Sequence, residues 1–225
     1  LNQLVMENFT GLLLSPVTFI LFLLFLKFRF PKWDYQLLVK SFIWGCLISI
    51  PVILADIVAH YFVIDGARSI RRMITYSFII VAFVSEVSKF FPLRFSLVPR
   101  NNFRNPADGI LYSVAIALGL STVYAVYYAF FSSKSGLDPA YFLSIGPMNA
   151  LFGIIMGFFT GLGKLRKNLF IDAMTGLLAT ILFHGIYRFI LLSKDITLFW
   201  LFALGSVFIA TILIYKSRKI TAELN

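Results

Sequence analysis

Apolar residues in this chain neither alternate with polar ones nor recur as a single stripe. They run on in blocks that approach or exceed about 20 residues, divided by short polar segments. Blocks of that length, apolar on every side, read as helices that cross a hydrocarbon core. The pattern predicts about seven of them, over Phe9–Phe30, Gln36–Ile64, Met73–Leu97, Ala107–Phe131, Ala140–Gly163, Leu169–Ser193 and Asp195–Tyr215. A transmembrane barrel would show short alternating segments, which are missing from the sequence. The breaks "DGARSIRR" (65–72), "PRNNFRNP" (99–106) and "SSKSGLDP" (132–139) carry turn formers, and none is long enough to be a linker. The expected fold is therefore all-α, a polytopic transmembrane bundle, with residues 1–225 forming one domain. The first span lacks a basic leading region and is followed by further spans, unlike a cleaved signal peptide. Because residue 1 is leucine, the natural start is expected upstream.

Composition agrees with the pattern. The chain is 60% hydrophobic and 13% charged, with 26 phenylalanines among its 225 residues, and its mean hydropathy is +0.88. A soluble domain of this size needs far more polar surface. The net charge of +10 would suit a nucleic-acid binder, but its placement points to a bilayer. Lys27, Arg29, Lys32 and Lys40 follow the first span, and Arg94, Arg100 and Arg104 the third. Lys164, Arg166 and Lys167 follow the fifth, and Lys216, Arg218 and Lys219 the seventh. The opposite side has only Arg68, Arg71, Arg72, Lys134, Arg188 and Lys194. The excess of basic residues puts the C-terminus in the cytoplasm and the N-terminus outside. The expected partners of this charge are anionic lipids, with no nucleic acid. Cys46, the only cysteine, rules out an internal disulfide and a cysteine-based metal site.

Against this apolar background the polar residues stand out, since an ionised group at mid-membrane costs roughly 2.5–3.5 kcal/mol. Counted from the span ends, Asp56, Glu86, Asn149, His184 and Tyr124 fall at similar heights, the first four within roughly 8 Å, so they are expected to share one polar layer. Glu86 and Lys89 are i,i+3 and can pair. His184 and Arg188 are i,i+4, and Arg188 should seek either Glu86 or Asp56. Asp56 and His60 share a face, but two ligands do not make a metal site. Tyr124, Tyr127 and Tyr128 form a stripe suited to packing or to an interface belt. Gly153, Gly157 and Gly161 recur every fourth residue and let another backbone approach, either a neighbouring helix of the same chain or a substrate helix.

Four blocks, in order, resemble the PrsW family of intramembrane proteases, distant relatives of the CAAX-prenyl endopeptidases. "SEVSK" (85–89) stands where that family has Glu-Glu-x-x-Lys. "DGILYSVAIALGLSTVYA" (108–125) is similar to its Asp-Gly opening and Gly-Phe-Ala-x-x-Glu-Asn stretch. "MNALFGIIMGFFTGLGK" (148–164) is similar to its His-Ala-Leu-x-Gly-x-x-x-Gly block, and "FHGIYRF" (183–189) to its His-Gly-x-x-Asp block. The resemblance runs from about Phe30 to Leu192. It implies a bacterial plasma-membrane protein and a hydrolase acting on single-pass membrane proteins.

The motif remnants are Glu86, Lys89 and His184, with Asp108 and Gly109 opening the fourth span. Ser85 replaces the first glutamate, Tyr124 a later one, Asn149 the first histidine and Arg188 the aspartate. Cutting a peptide bond needs an activated water and a stabilised oxyanion. A metal route wants about three good ligands, and one carboxylate and one imidazole survive. A metal-free route could use Glu86 as base with His184 and Asn149 as donors, but Lys89 and Arg188 would hold Glu86 ionised and weaken it. Tyr124 could donate to Glu86 and Arg188 could neutralise it, giving a structural network. The leading expectation is a pseudoenzyme that binds single-pass membrane segments without cofactor. The alternatives are an active divergent endopeptidase using Glu86 and His184, with zinc only if it is metal-dependent, and a small transporter or lipid-handling protein.

Overall fold

A computed structural model describes residues 2–29, 34–62, 69–131 and 139–223. Leu1, Phe30, Lys32, Ile64, Arg68 and Lys134, which entered the reading of span ends and charge, lie outside the described residues. Among the described residues all regular structure is helical, with α1 at Asn2–Arg29, α2 at Tyr35–Tyr61 and α3 at Ile70–Leu97. They are followed by α4 at Pro106–Phe131, α5 at Pro139–Arg166, α6 at Leu169–Ser193 and α7 at Ile196–Ala222. Helices α2 to α7 are long and apolar enough to cross a membrane, and α1 carries a shorter apolar stretch, Leu13–Phe25. The protein is an integral membrane protein with a polytopic helical fold.

The centre of the bundle is the α4–α5 pair. Of the apolar window in each helix, 78% is buried in α4 and 67% in α5, against 28% in α2 and 22% in α7. Small residues make that centre possible. A Cβ on Gly157 would run into the backbone of Gly109, and one on Gly161 would stand 2.6 Å from Asn105 O. The glycine face of α5 therefore packs on α4 of the same chain. A second contact of this kind joins α2 to α4, where Gly45 meets the backbone of Ile116 and Gly119 that of Phe42.

Loop ends are held by side chains that satisfy open backbone groups. Asp108 Oδ2 accepts from the Arg104 and Asn105 amides at 2.8 and 3.3 Å, and Asn105 Oδ1 accepts from those of Ala107 and Asp108. These bonds fix the start of α4. Lys164 Nζ donates to the carbonyls of Val98 and Arg100, tying the end of α5 to the end of α3. The α5–α6 turn places Lys167 in the left-handed region, φ 60°, with Asn168 N donating to Gly163 O at 3.0 Å.

Helix α3 departs from regular α geometry. It is π-helical over Thr75–Phe83, α-helical over Val84–Pro92, and π-helical again over Leu93–Leu97. Pro92 has no N–H to give and accounts for the second stretch. The first ends at Phe83, two residues before Ser85, and wide turns of this kind frequently mark functional sites.

Candidate functional site

The site is assembled by α3, α5 and α6. Gly185 makes it possible, because a Cβ there would drive into the Phe78 ring of α3. Without one, α6 comes close enough for its neighbour His184 to reach Glu86. His184 Nδ1 donates to Glu86 Oε1 at 2.6 Å. Lys89 Nζ, one turn along α3, lies 2.6 Å from the same oxygen and donates to Asn149 Oδ1 on α5 at 2.9 Å. Asn149 in turn donates from Nδ2 to Ile145 O at 2.9 Å. Glu86 is 0% and Lys89 1% exposed. Phe152 closes the cluster. Its ring stacks on His184 at 5.0 Å and lies 5.9 Å below Lys89 Nζ.

Charge is balanced inside this cluster. One carboxylate faces one ammonium, and an imidazole supplies a second donor. With Glu86 ionised, both of its neighbours must donate to Oε1, so Nδ1 of His184 carries a proton. Glu86 Oε2 is buried without a hydrogen-bond partner among the described residues.

A cavity of about 20 Å³ lies beside the cluster, enough for one water. Its polar lining is Ser85, Tyr124, Asn149, His184 and Tyr187, with Val52, Val81, Leu120 and Ile145 as its apolar walls. Three of the four substituted motif positions, Ser85, Tyr124 and Asn149, thus meet around one space together with His184. Glu86 is not part of the lining. Its side chain is turned into the ion pair.

Two expected contacts are not made. Glu86 takes its hydrogen bonds from Lys89 and His184, so Tyr124 does not donate to it and Arg188 does not neutralise it. Tyr124 instead packs near Tyr127, ring centroids 5.8 Å apart. Arg188 points away from Glu86 to a second polar group. Its Nη2 donates to Tyr76 Oη at 3.4 Å, with the guanidinium 5.4 Å over the Tyr76 ring. Tyr76 Oη donates to Asp56 Oδ1 at 2.6 Å. His60 turns back to the Asp56 carbonyl, 3.0 Å from Nδ1. Asp56 therefore belongs to this group and not to the Glu86 cluster. Tyr187 and Tyr76 were not singled out from sequence. Tyr187 lies within the "FHGIYRF" block, i+3 from His184, and that spacing was an available signal; Tyr76 offered none.

Could these residues hold a metal? Glu86 Oε1 and Asn149 Oδ1 both point at the Lys89 ammonium, which fills the space between them. Among the described residues no three His, Cys, Asp or Glu side chains are grouped to hold an ion. One carboxylate already paired, one imidazole and an amide fall short of the three protein ligands of a catalytic zinc. The donor set does not fit a metal.

Comparison with known proteins gives this geometry a context. The PrsW family, described as intramembrane metalloproteases, matches residues 34–215. Protease PrsW of Oceanobacillus iheyensis is 28% identical over 205 residues, covering 85% of this chain and 90% of that protein. Protease PrsW of Clostridioides difficile is 29% identical over 196 residues, 81% and 79% of the two chains. That of Bacillus subtilis is 26% identical over 182 residues, 79% and 80%. No solved structure matches. The family match opens at the start of α2, runs into α7 and takes in every residue of the cluster and the cavity; the chain belongs to the PrsW family.

Proposed function

We propose that this PrsW family member is a pseudo-protease, which holds single-pass membrane protein segments in the bilayer without cutting them. The observation that carries the reading is the separation of carboxylate from cavity. A peptidase of this type needs its base within reach of a water and of the scissile carbonyl. Here the space where a water fits is lined by a serine, two tyrosines, an amide and an imidazole. The nearby carboxylate is held by Lys89 and His184. Freeing Glu86 would break a buried ion pair, which costs about 3–5 kcal/mol where one partner is removed. That penalty would be added to the barrier of every turnover, a factor of roughly 10² to 10³ or more.

A second reading, a divergent endopeptidase using Glu86 and His184, is favoured by one contact. The 2.6 Å bond between those two side chains is a base–imidazole pair already in place, and the similar proteins carry the name protease. The experiment that separates the two is cleavage of model single-pass substrates by purified protein in liposomes, beside Glu86→Gln and His184→Ala. The pseudo-protease reading expects no cleavage, with the substrate helix still captured by crosslinking. Cleavage by the parent that both variants abolish would establish the peptidase instead.

A further inference from the structure

The cavity beside the ion pair has two hydrogen-bonding atoms with no partner. His184 is one of its lining residues, and because Nδ1 is given to Glu86, Nε2 is the nitrogen left over. Among the described residues Nε2 makes no hydrogen bond, and neither does Oγ of Ser85, which lines the same space from α3. His184 is 5% and Ser85 2% exposed, yet neither atom is sealed in as Glu86 Oε2 is. Asn149 adds a third group, since only one of its two Nδ2 hydrogens is spent on Ile145 O. What these atoms ask of a ligand follows from the proton on Nδ1. Glu86 and Lys89 already balance each other, so a second proton on His184 would be an uncompensated buried charge. Nε2 is therefore an acceptor with no hydrogen to give. The same balance leaves the cavity with no net charge to offer an ion. Its volume of about 20 Å³ holds one oxygen and its hydrogens, too little for an amide or a carboxylate. A neutral hydroxyl meets each of these conditions.

We infer that the cavity is a hydroxyl-recognition pocket, in which a serine or threonine side chain of a bound membrane segment donates to His184 Nε2 and accepts from Ser85 or Asn149. The inference rests on the reading that the protein holds single-pass segments, and it names what selects them: a hydroxyl at the depth of His184. The cavity is partly open, which gives such a side chain a way in. Water carries the same O–H chemistry, so the hydroxyl must replace it bond for bond. Glu86 acts here as a positioning residue, because its bond to Nδ1 fixes which nitrogen faces the ligand.

The test is photo-crosslinking capture, in liposomes, of synthetic single-pass segments that carry alanine, serine or asparagine at one mid-span position, moved through a helical turn. At one register the serine segment should be captured about five- to tenfold better than the alanine segment. Ser85→Val fills the pocket and removes its oxygen, so it should capture the two segments equally. Should that variant fail to fold, Ser85→Ala removes the oxygen alone and should lower the serine-to-alanine ratio by about twofold or more. Equal capture of serine and alanine by the parent at every register would overturn the pocket alone, and would assign the space to water. Asparagine captured as well as serine would overturn it too, since polar pairing of helices in lipid needs no space cut to one oxygen. A serine preference that survives in Ser85→Val would do the same. Capture of no segment at all would overturn the pseudo-protease reading, and the pocket with it.

Discussion

Replacing Lys89 by methionine removes the ammonium from between Glu86 and Asn149 while keeping most of the side-chain volume. Three things follow from the geometry. Glu86, 0% exposed, loses the charge 2.6 Å from Oε1 and keeps only His184 as a donor. Asn149 Oδ1 loses its donor at 2.9 Å. Water from the adjoining cavity does not reach Glu86, which is not among the residues that line it. Breaking one half of a buried pair costs about 3–5 kcal/mol, and an orphaned neutral acceptor adds about 1–3 kcal/mol. Lys89→Met should therefore destabilise the protein by roughly 4 kcal/mol or more, read from denaturant unfolding in detergent. The companion variant is Lys89→Met with Glu86→Gln, which removes both charges. It should recover much of the loss, because no unpaired buried charge is left and the neutral amide can still accept from His184. A cost below about 1 kcal/mol for Lys89→Met, the level of an exposed pair, would refute the reasoning. A double variant as unstable as the single one would refute it equally, by showing that the loss came from packing and not from charge.

Other consequences are simpler to read. Gly157→Ala should lose several kcal/mol or fail to accumulate, because its Cβ meets the Gly109 backbone, whereas Gly205→Ala, with nothing within 4 Å, should be neutral or stabilising by up to about 1 kcal/mol in the same unfolding assay. Lys167→Gly should stabilise by about 0.5–1 kcal/mol, since it relieves a left-handed lysine at φ 60°. A chelator should leave the melting temperature unchanged and metal analysis after zinc exposure should find no bound ion; a lower melting temperature would show that the donor set had been misjudged.

How much of this was legible in the sequence depends on what had to be read. Spans were legible because a bilayer leaves the backbone few alternatives to a helix. The sixth, read as Leu169–Ser193, has those same ends in the structure. The seventh runs on from Tyr215 to Ala222 because Lys216, Arg218 and Lys219 can keep their heads in water while their stems stay along the helix. The glycine face of α5 announced itself by its period of four, but the Gly45 and Gly119 contact did not, since each is a single residue with no repeat. At the site, the Glu86–Lys89 pair was legible as an i,i+3 spacing within one helix. The destination of Arg188 was not, because it depends on Tyr76, and Tyr76 sits in nine residues of π-helix that turn α3 by an amount no average period supplies. Height alone grouped Asp56 with Glu86, although the two sit in different clusters.

The placement of Glu86 and Lys89 on one helix also bears on how the protein is made. The two charges are a single turn apart on α3, so they can neutralise each other within that segment, before any partner from α5 or α6 has been synthesised. Helix α3 can then enter the bilayer as a dipole instead of two separate ions. His184 and Asn149 arrive later in the chain and dock onto a pair that already exists. Moving either charge to another span would keep the final cluster neutral, yet it would leave a lone ion in lipid during synthesis. Such a protein could be stable once assembled and still fail to be inserted.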